Sequence, residues 1–310
     1  GLANICILST AVLVMVSSTS SLMLGMQDVI ATRYPDDFIV YSNEASEERA
    51  YESFDTIREL QEEQNLNVTS EREYRYLVFP AFINGDTFEV TRDANFSSWG
   101  NLNNLIFVSL SDYNRVMGTD KALAENEVLI YSDRLQFDSP TLKIFDREYS
   151  VKEKIDEFIG NGLIVAIAAN TQFIVLPDGT DIDELYALQK EALSEGASEI
   201  QYYYGFNSDA DEEIQRVFYR TLLEDYVDHG YEGTIESKAD SRSEFVGLYG
   251  GFFFIGIFLG VLFIMATVLI IYYKQISEGY DDKQRYEIMQ KVGMTHQKIK
   301  SSIHSQVLTV

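Results

Sequence analysis

Residues 245–273 read FVGLYGGFFFIGIFLGVLFIMATVLIIYY, a run of 29 residues without a charge. As an α-helix, with about 1.5 Å of rise per residue, this run would be roughly 43 Å long, which exceeds the ~30 Å hydrocarbon core of a bilayer. Soluble proteins seldom have a core large enough to bury such a helix. The sequence therefore predicts a membrane protein with a transmembrane helix over 245–273.

Charge is distributed unevenly around this span. The 310-residue chain has a net charge of −25, and no charged residue precedes Asp28. Residues 274–310 hold six cations and four acids, so residues 28–244 carry the remaining net charge of −27. Short segments rich in Lys and Arg stay in the cytoplasm, whereas large domains are exported regardless of charge. We therefore predict that 274–300 is cytoplasmic and that 28–244 is extracellular.

A second transmembrane helix is needed to bring the chain back across the membrane, and residues 1–27 supply it. The stretch LANICILSTAVLVMVSSTSSLMLGM, residues 2–26, has no charge and would rise about 37 Å as a helix. A secretory signal peptide would need a start Met and a basic segment, but the chain begins at Gly1 with neither. Residues 301–310 turn apolar again and are interpreted as the start of a further span. Both ends are thus expected to be cut points in a longer polytopic protein.

Between the spans, helical and strand patterns interleave, which predicts an α+β domain rather than a doubly wound parallel sheet. The predicted helices are Glu44–Gln64, Asp112–Met117, Ile182–Ser194 and Glu212–His229. The predicted strands are Phe38–Tyr41, Tyr74–Ile83, Thr87–Val90, Leu105–Leu110, Glu127–Tyr131, Thr141–Phe145, Leu163–Ala168, Gln172–Leu176 and Ile200–Tyr204. Asn84-Gly85 predicts a hairpin turn, Ser111 an N-cap, and Gly118 and Gly230 helix ends.

The remaining features of this domain concern its ends, its core and its charge. The polar stretch Tyr231–Glu244 is interpreted as a stalk into the second span. The only cysteine, Cys6, lies in the first span, so the domain is expected to hold together without disulfides. The net charge of −27 has two interpretations: a surface that attracts cationic ligands, or a solvated surface that keeps an exported domain soluble.

Several kinds of chemistry lack their motifs. No Gly-rich phosphate-binding loop is present, so no ATP site is predicted in this chain. Of the three histidines, His229 is predicted to lie outside and His296 and His304 inside, which excludes an extracellular zinc site with two histidine ligands. The acids at 178–184 suit the first turn of a helix better than a calcium loop. We predict no catalytic residue, cofactor, metal site or nucleic-acid partner for this chain.

Glycines four positions apart recur in the 245–273 span. Gly247 and Gly251 form one such pair, and Gly256 and Gly260 form another. Small residues at this spacing let a second helix approach closely in lipid. We predict that these four glycines pack the span within a helix bundle.

The segment 274–300 carries the most specific pattern. Tyr286, Met289 and Val292 recur at every third position with Ile288 beside them, which is typical of an amphipathic helix over 281–292. Gly293 is suited to end that helix, and a further helix would climb back toward the membrane. Two interpretations remain open: a helix that fits a groove on a partner protein, or a helix that lies on the lipid surface.

Two stretches resemble a known superfamily. The string RYEIMQKVGM at 285–294, followed by Lys298, resembles the cytoplasmic coupling helix of FtsX-like ABC permeases. The longer string YKQISEGYDDKQRYEIMQKVGM at 273–294 resembles the bacitracin-export (Bce) type, and so does GLANICILSTAVLVM at 1–15. The single large insertion between the two spans matches that type in size and placement.

The resemblance implies that this chain is a piece of a permease subunit in the cell membrane. A separate ABC ATPase subunit, which binds ATP and magnesium, would dock on Arg285, Tyr286, Glu287, Met289 and Gly293. The other implied partners are the remaining spans of the same permease and, in many such systems, a sensor histidine kinase. The implied ligand is a peptide antibiotic or its complex with a lipid-linked wall precursor. The resemblance identifies no ligand-binding residue in 28–244.

Three functions follow from these observations. The first is the permease subunit of a transporter that senses and detoxifies cell-wall-targeting antimicrobial peptides. The second is an FtsX-like mechanotransmitting regulator of cell-wall hydrolases that moves no drug. The third is a membrane-anchored binding module without an ATPase. The string at 285–294 disfavours the third, and the longer string with the single large insertion favours the first over the second.

Overall fold

The computed structural model describes residues 2–91, 100–159, 170–178 and 182–309. The chain divides into two compact units, one made of Gly1–Asp28 with Ser243–Val310 and the other of Val29–Arg242. The helices are α1 Leu2–Arg33, α2 Glu47–Glu63, α3 Leu110–Met117, α4 Ile182–Leu193, α5 Glu212–Asp228, α6 Lys238–Lys291 and α7 His296–Thr309. The strands are β1 Phe38–Ser42, β2 Val68–Asn84, β3 Thr87–Glu89, β4 Leu102–Ser109, β5 Glu127–Asp133, β6 Thr141–Ile144, β7 Arg147–Lys154, β8 Asn170–Leu176, β9 Gln201–Ser208 and β10 Gly233–Ser237.

Two helices, α1 and α6, are long and apolar enough to cross a membrane, over Cys6–Arg33 and Lys238–Tyr280. In sequence they flank a domain that contains both helices and strands. The predicted order of an apolar helix, a mixed domain and a second apolar helix is therefore confirmed. This arrangement is compatible with a membrane protein.

In the described part of the chain, ten strands form one sheet in the order β10-β1-β9-β2-β3-β6-β7-β5-β8-β4. Because β2 also pairs with β4, the strands from β2 to β4 in this order close into a ring of seven. β2 belongs to both parts of the sheet. Its first residues, Val68–Tyr76, pair with β9, and the following Leu77–Phe82 pair with β4. β2 is 17 residues long, and this length lets it pair with β9 over its first residues and with β4 over the following ones.

The other part of the sheet consists of four strands: β10, β1, β9 and the first half of β2. Each of these strands is antiparallel to its neighbours. They are connected as β1–α2–β2 and β9–α5–β10. This order and connectivity define a ferredoxin-like fold, with the ring inserted between its second and third strands. Helices α2 and α5 cover one face, where Phe54 stacks on Tyr204 with 5.1 Å between ring centroids and Phe218 meets Phe38 edge-on at 5.3 Å.

The opposite face of these strands is also buried, and tyrosines line it. Tyr203 stacks on Tyr74 with 4.7 Å between ring centroids. The buried carboxylate of Asp36 accepts hydrogen bonds from the Tyr203 hydroxyl at 2.5 Å and from Arg72 Nε at 2.7 Å. Gly205 makes room for that carboxylate, since a Cβ there would lie 2.1 Å from Asp36 Oδ2. Because both faces are covered, all five residues of β1 are buried.

The seven-stranded ring is filled by side chains rather than open. Along β2, Leu77, Phe79 and Ala81 are buried and belong to the hydrophobic core, whereas Pro80 between them is exposed. Phe79 stacks on Phe107 of β4 with 5.3 Å between centroids. Proline has no N–H to donate. It is therefore tolerated in β2, which is shared by two parts of the sheet, only at a position where no backbone hydrogen bond to a neighbouring strand is needed.

Most predicted helices of the domain are confirmed, with ends shifted by a few residues. The spacing of apolar residues in α2 predicts a buried stripe of Tyr51, Phe54, Ile57 and Leu60. The last three are buried and Tyr51 is half-buried. Gly118 and Gly230 follow α3 and α5 with φ of +64° and +67°, the left-handed conformation that glycine favours. The predicted strand Leu163–Ala168 lies outside the described residues.

Three local predictions are wrong. The cap of α3 is Ser109, whose hydroxyl accepts a hydrogen bond from the Asp112 N–H at 3.1 Å, so the helix begins before Ser111. The hairpin turn consists of Gly85 and Asp86, because Asn84 is paired with Thr87 as the last rung of the ladder. The stretch Tyr231–Glu244 is not a stalk. It forms β10, which is paired with β1, and the first turns of α6.

Candidate partner-docking segment

The segment predicted to dock a partner begins as the end of α6. The helix runs from Lys238 to Lys291 for 54 residues, so the predicted amphipathic helix over 281–292 is not a separate element. Nothing in 274–280 ends the helix. Lys274 and Glu278 lie four positions apart, with 3.6 Å between Nζ and Oε1, a spacing that supports helix continuation. Gly279 remains within the helix.

Helix α6 ends in a turn that the sequence predicts. Gly293 has a φ of +96°. The Gly293 N–H donates to the carbonyl of Gln290 at 3.1 Å, and the Met294 N–H donates to the carbonyl of Met289, also at 3.1 Å. This pair of bonds is the Schellman motif, which satisfies carbonyls at the end of a helix and places glycine at the left-handed position. The prediction that Gly293 ends the helix is confirmed, and α7 starts three residues later at His296.

Apolar side chains are exposed around this turn. Ile288 is 60% exposed and Val292 is 80% exposed, and Met289 and Met294 are exposed as well. We call Ile288–Met294 the exposed turn. Its conformation is fixed by the two backbone bonds described above, while its apolar side chains have few neighbours. A surface of this kind is suited to burial against a partner or a lipid surface.

The charged residues predicted for docking lie on the helix that leads into the exposed turn. Arg285 is exposed and its Nη1 lies 3.2 Å from Asp282 Oδ1, one turn earlier. Glu287 is exposed, and Tyr286 is half-buried. The structure thus brings all five predicted docking residues, Arg285, Tyr286, Glu287, Met289 and Gly293, into the last turns of α6 and the exposed turn.

Within the unit formed by the apolar segments, α1 packs against α6 at two glycines. A Cβ on Gly256 would lie 2.8 Å from Thr19 Oγ1, and a Cβ on Gly260 would lie 3.6 Å from Val16 Cγ2. The hydroxyl of Thr19 donates to the carbonyl of Met15 at 2.8 Å, so it leaves no unpaired donor at this contact. Glycine at 256 is therefore required for the close approach of the two helices.

The other glycine pair lies on a different face of α6. At about 100° per residue, Gly247 and Gly251 are roughly 180° around the helix from Gly256 and Gly260. In the described part of the chain, no atom lies within 4 Å of a Cβ built on Gly247 or Gly251. The helix thus presents one small-residue face to α1 and another away from it.

A groove of about 480 Å³ lies in the domain where the end of α2 meets the first residues of β2. Its charged lining residues are Arg58, Glu62 and Glu71. The guanidinium of Arg58 lies 2.7 Å from Glu73 and 2.8 Å from Asp55. Burial lowers the pKa of Arg58, but the hydrogen bond to Glu73 and the neighbouring acids raise it more, and the net result is a rise above its ordinary value. The groove is therefore net acidic with its one arginine fully engaged.

The sequence did not predict this groove, because its lining residues come from two elements with different sequence patterns. Arg58 and Glu62 lie on one side of an ordinary amphipathic helix, and Glu71 lies in a charged stretch that was not predicted as strand. Only the pairing of β2 with β9 brings Glu71 within 2.8 Å of the Tyr204 hydroxyl, which donates to it. In the described ranges, no three side chains of His, Cys, Asp or Glu come together to hold a metal ion.

Comparison with known proteins yields one sequence likeness. No family model matches the chain. Over 175 residues, or 56% of this chain, the sequence is 24% identical to the ABC transporter permease protein YxdM of Bacillus subtilis (strain 168). The chain spans only about a quarter of that relative's length, 25%.

Among solved structures, the chain is similar to a crystal structure of a Bacillus anthracis protein described as a lipoprotein. The likeness covers 64% of this chain and 95% of the other, with 6% identity and a TM-score of 0.30. A TM-score this low carries no argument about fold or function.

Proposed function

We propose that this chain is part of the permease subunit of an ABC transporter that senses and detoxifies cell-wall-targeting antimicrobial peptides. The observation that carries the permease role is the likeness to YxdM, which is a permease by name. The strings at 1–15 and 273–294, which resemble the Bce type, support the narrower role. Both strings belong to the unit that contains the two apolar helices.

In this proposal α1 and α6 cross the cell membrane, the domain at 28–244 is extracellular and 274–300 is cytoplasmic. The aromatic residues of α6 support this placement. Tyr249 and Tyr272 are 23 positions apart, which corresponds to about 35 Å of helix and suits the two interfaces of a bilayer, where tyrosine is enriched. The cations after Tyr273 would then lie in the cytoplasm.

The exposed turn is the proposed docking site of a separate ATPase subunit. Ile288, Met289 and Val292 would enter an apolar groove of the ATPase, and Arg285 and Glu287 would pair with charges at its rim. ATP and magnesium would be bound by that subunit. Gly247 and Gly251 would receive another span of the same permease, because small residues allow close helix contact.

On the outside, the acidic domain would meet a peptide antibiotic or its complex with a lipid-linked wall precursor. Movement of the ATPase would reach the domain through α6, which runs from the exposed turn to β10 without a break. A sensor histidine kinase would report the activity of the transporter to the cell.

Susceptibility tests decide between detoxification and the regulatory alternative. A host that lacks the intact permease should become hypersensitive to some members of a panel of bacitracin, lantibiotics and defensins. The wild-type gene should restore resistance, and a gene that lacks residues 30–240 should not. Unchanged susceptibility together with a defect in division or wall hydrolysis would overturn detoxification in favour of an FtsX-like regulator.

The docking role is tested with Glu287→Gln and Gly293→Ala in the intact permease. Both variants should weaken co-purification of the ATPase and abolish the response of ATP hydrolysis to outside ligand, because one removes a rim charge and the other strains the exposed turn. Glu278→Gln and Gly279→Ala are matched controls, since they make the same chemical changes earlier in α6. Full resistance in both test variants would refute the role.

A further inference from the structure

The two apolar helices are attached to neighbouring strands of the domain. Strand β10 ends at Ser237 and α6 begins at the next residue, with no linker between them. Ser237 is paired with Phe38, the first residue of β1. The N–H of Lys238 donates to the carbonyl of Asp37 at 2.8 Å, so the ladder between β1 and β10 extends into the first residue of α6.

The short link from α1 to β1, residues 34–37, is held in place. The N–H of Asp37 donates to Asn207 Oδ1 at 3.0 Å, and Asp37 Oδ2 accepts from the N–H of Ser208 at 3.1 Å. Asn207 Nδ2 donates to Asp36 Oδ1 at 3.1 Å. The link is therefore tied to β9 at consecutive residues and does not act as a free hinge.

A partly buried ion pair joins the two attachment points directly. Arg33, the last residue of α1, pairs with Glu236 of β10, and their side chains are only 16% and 17% exposed. The guanidinium of Arg33 also lies over the ring of Tyr34, 4.9 Å from its centroid. A second pair, between Lys238 Nζ and Asp37 Oδ1 at 3.9 Å, lies beside it.

The Arg33–Glu236 pair is poorly suited to adding stability. Arg33 Nη1 and Glu236 Oε2 are buried, and neither has a hydrogen-bond partner in the described structure. Desolvation of a buried ion pair is repaid only when its remaining donors and acceptors are satisfied. Removing one partner, however, leaves an unpaired charge in a partly buried place. Such a pair fixes the relative position of two elements more than it stabilises the fold.

We propose that Arg33 and Glu236, supported by Asp37 and Lys238, form a clasp that makes the last turn of α1 and the first turn of α6 move as one body. The four are positioning residues. This inference rests on the proposed function, in which an ATPase displaces α6. With the clasp closed, a displacement of α6 reaches β10 and, through the ladder and the ion pair, β1 and α1 at the same moment.

The physical part of the proposal is tested on this chain in lipid nanodiscs by amide hydrogen exchange. In Glu236→Gln, the amides of residues 233–238, of Tyr34 and of residues 36–38 should exchange faster by roughly tenfold or more, because the partly buried Arg33 is left without its counter-charge. The matched control is Glu153→Gln, which breaks the pair between Lys121 and Glu153, 2.7 Å apart at an exposed site of the same domain. Exchange at the clasp should not change in that control.

The double variant Arg33→Glu with Glu236→Arg separates the ion pair from the fold. It should restore most of the lost protection at residues 233–238 if opposite charges hold the clasp. Equal exchange in wild type and Glu236→Gln would overturn the proposal. So would loss of protection in Glu236→Gln spread evenly over the whole domain, because that result indicates general unfolding.

The functional part uses the intact permease with its ATPase subunit in liposomes and bacitracin as the outside probe. Glu236→Gln should keep basal ATP hydrolysis and lose most of the response to bacitracin, and the charge-swapped variant should regain it. A wild-type transporter that ignores bacitracin and the other peptides of the panel would count against the proposed function, while the exchange result still decides the clasp. A normal response in Glu236→Gln would overturn the clasp alone.

Discussion

Gly205 lies where β9 passes closest to the carboxylate of Asp36. A Cβ at this position would be 2.1 Å from Asp36 Oδ2 and 2.7 Å from the ring of Tyr203. Gly205→Ala must therefore displace a buried carboxylate from Arg72 and Tyr203, and we expect it to destabilise the domain by about 3 kcal/mol. Thermal unfolding followed by circular dichroism measures the loss.

The control for Gly205→Ala is Gly196→Ala in the same domain, because no atom lies within 4 Å of a Cβ at Gly196. That variant should unfold within a degree or two of wild type, about the scatter of a neutral surface change. Equal unfolding temperatures for the two alanine variants would contradict the close contact described for Gly205.

Asp86 makes the stability of the domain depend on pH under acidic conditions. The side-chain hydrogen bond from Lys143, whose Nζ lies 2.9 Å from Asp86 Oδ2, is the main cause that lowers the pKa of Asp86 below its ordinary value of 3.8. The unfolded chain thus binds this proton more readily than the folded chain, so Asp86 contributes stability above its unfolded pKa and loses it as pH falls through the folded pKa.

Wild type should accordingly lose more stability than Asp86→Asn between about pH 5 and pH 3. The comparison is made by denaturant unfolding at each pH. Asp146→Asn, which removes an exposed carboxylate in the turn between β6 and β7, is the control and should follow wild type. Parallel curves for wild type and Asp86→Asn would show that the ion pair does not act in this way.

Glycines show what sequence predicts at this scale. Gly118, Gly230 and Gly293 follow amphipathic helices, and each adopts the positive φ expected of a helix end. The need for glycine at position 205 could not be predicted from the sequence. A side chain there would collide with Asp36, which is distant in sequence and approaches Gly205 only when β9 pairs with β1. A local sequence pattern can identify a glycine that its own backbone conformation requires. It cannot identify a glycine that is required because a residue distant in sequence packs against it.

Among the elements, the contact between α1 and α6 makes a direct prediction. With Cys6→Ser as background, cysteines at Val16 and Gly260 should form a disulfide on oxidation, since a Cβ at Gly260 lies 3.6 Å from Val16 Cγ2. Adding Gly256→Leu should abolish the cross-link, because the larger side chain pushes Thr19 away. The shift of the cross-linked band on a non-reducing gel measures this.

Gly247→Leu is the matched control on the opposite face of α6. It should leave the cross-link intact in this chain, where no described atom lies within 4 Å of a Cβ at Gly247. If both leucine variants abolish the cross-link, the packing of α1 on the face with Gly256 is refuted.

Two segments show which elements a local sequence pattern can predict and which it cannot. Strand β7, Arg147–Lys154, was missed because its charged residues hid the alternation of Tyr149 and Val151. Those charges have partners on neighbouring segments, such as Lys152 Nζ with Glu127 Oε2 at 2.9 Å, and so do not oppose strand formation. The exposed turn was predicted correctly at Gly293 because its signal is local, whereas the start of a separate helix at 281 had no stop signal before it.

For the whole molecule, the net charge of −27 on residues 28–244 predicts strong ionic steering if the domain captures cationic ligands. The association rate of a lysine-rich peptide with this chain should fall by about tenfold or more as salt rises from ~0.05 M to ~0.5 M, because screening shortens the range of the attraction. Stopped-flow fluorescence with a labelled peptide measures the rate. The same peptide with acetylated lysines is the control, and a flat salt dependence for both would leave the acidic surface as a solubilising one.

At this scale the sequence predicted the order of apolar helix, mixed domain and apolar helix, because hydropathy and periodicity are local. It did not predict the ring of seven strands or the ferredoxin-like order of the other strands. Those depend on which strands pair, and β2 carries no signal that it changes partners near Tyr76 and Leu77. The groove beside Arg58 depends on the same pairing and was missed for the same reason.

The position of β1 in the sheet also determines the order in which the strands can pair during synthesis. Phe38 is paired with Phe206 on one side and with Ser237 on the other, so β1 leaves the ribosome long before either neighbour exists. The ring strands between them can find one another earlier, because their partners are closer in sequence. During synthesis β1 and the end of α1 must therefore wait without their strand partners, and the four-stranded sheet closes only when the chain has reached the start of α6.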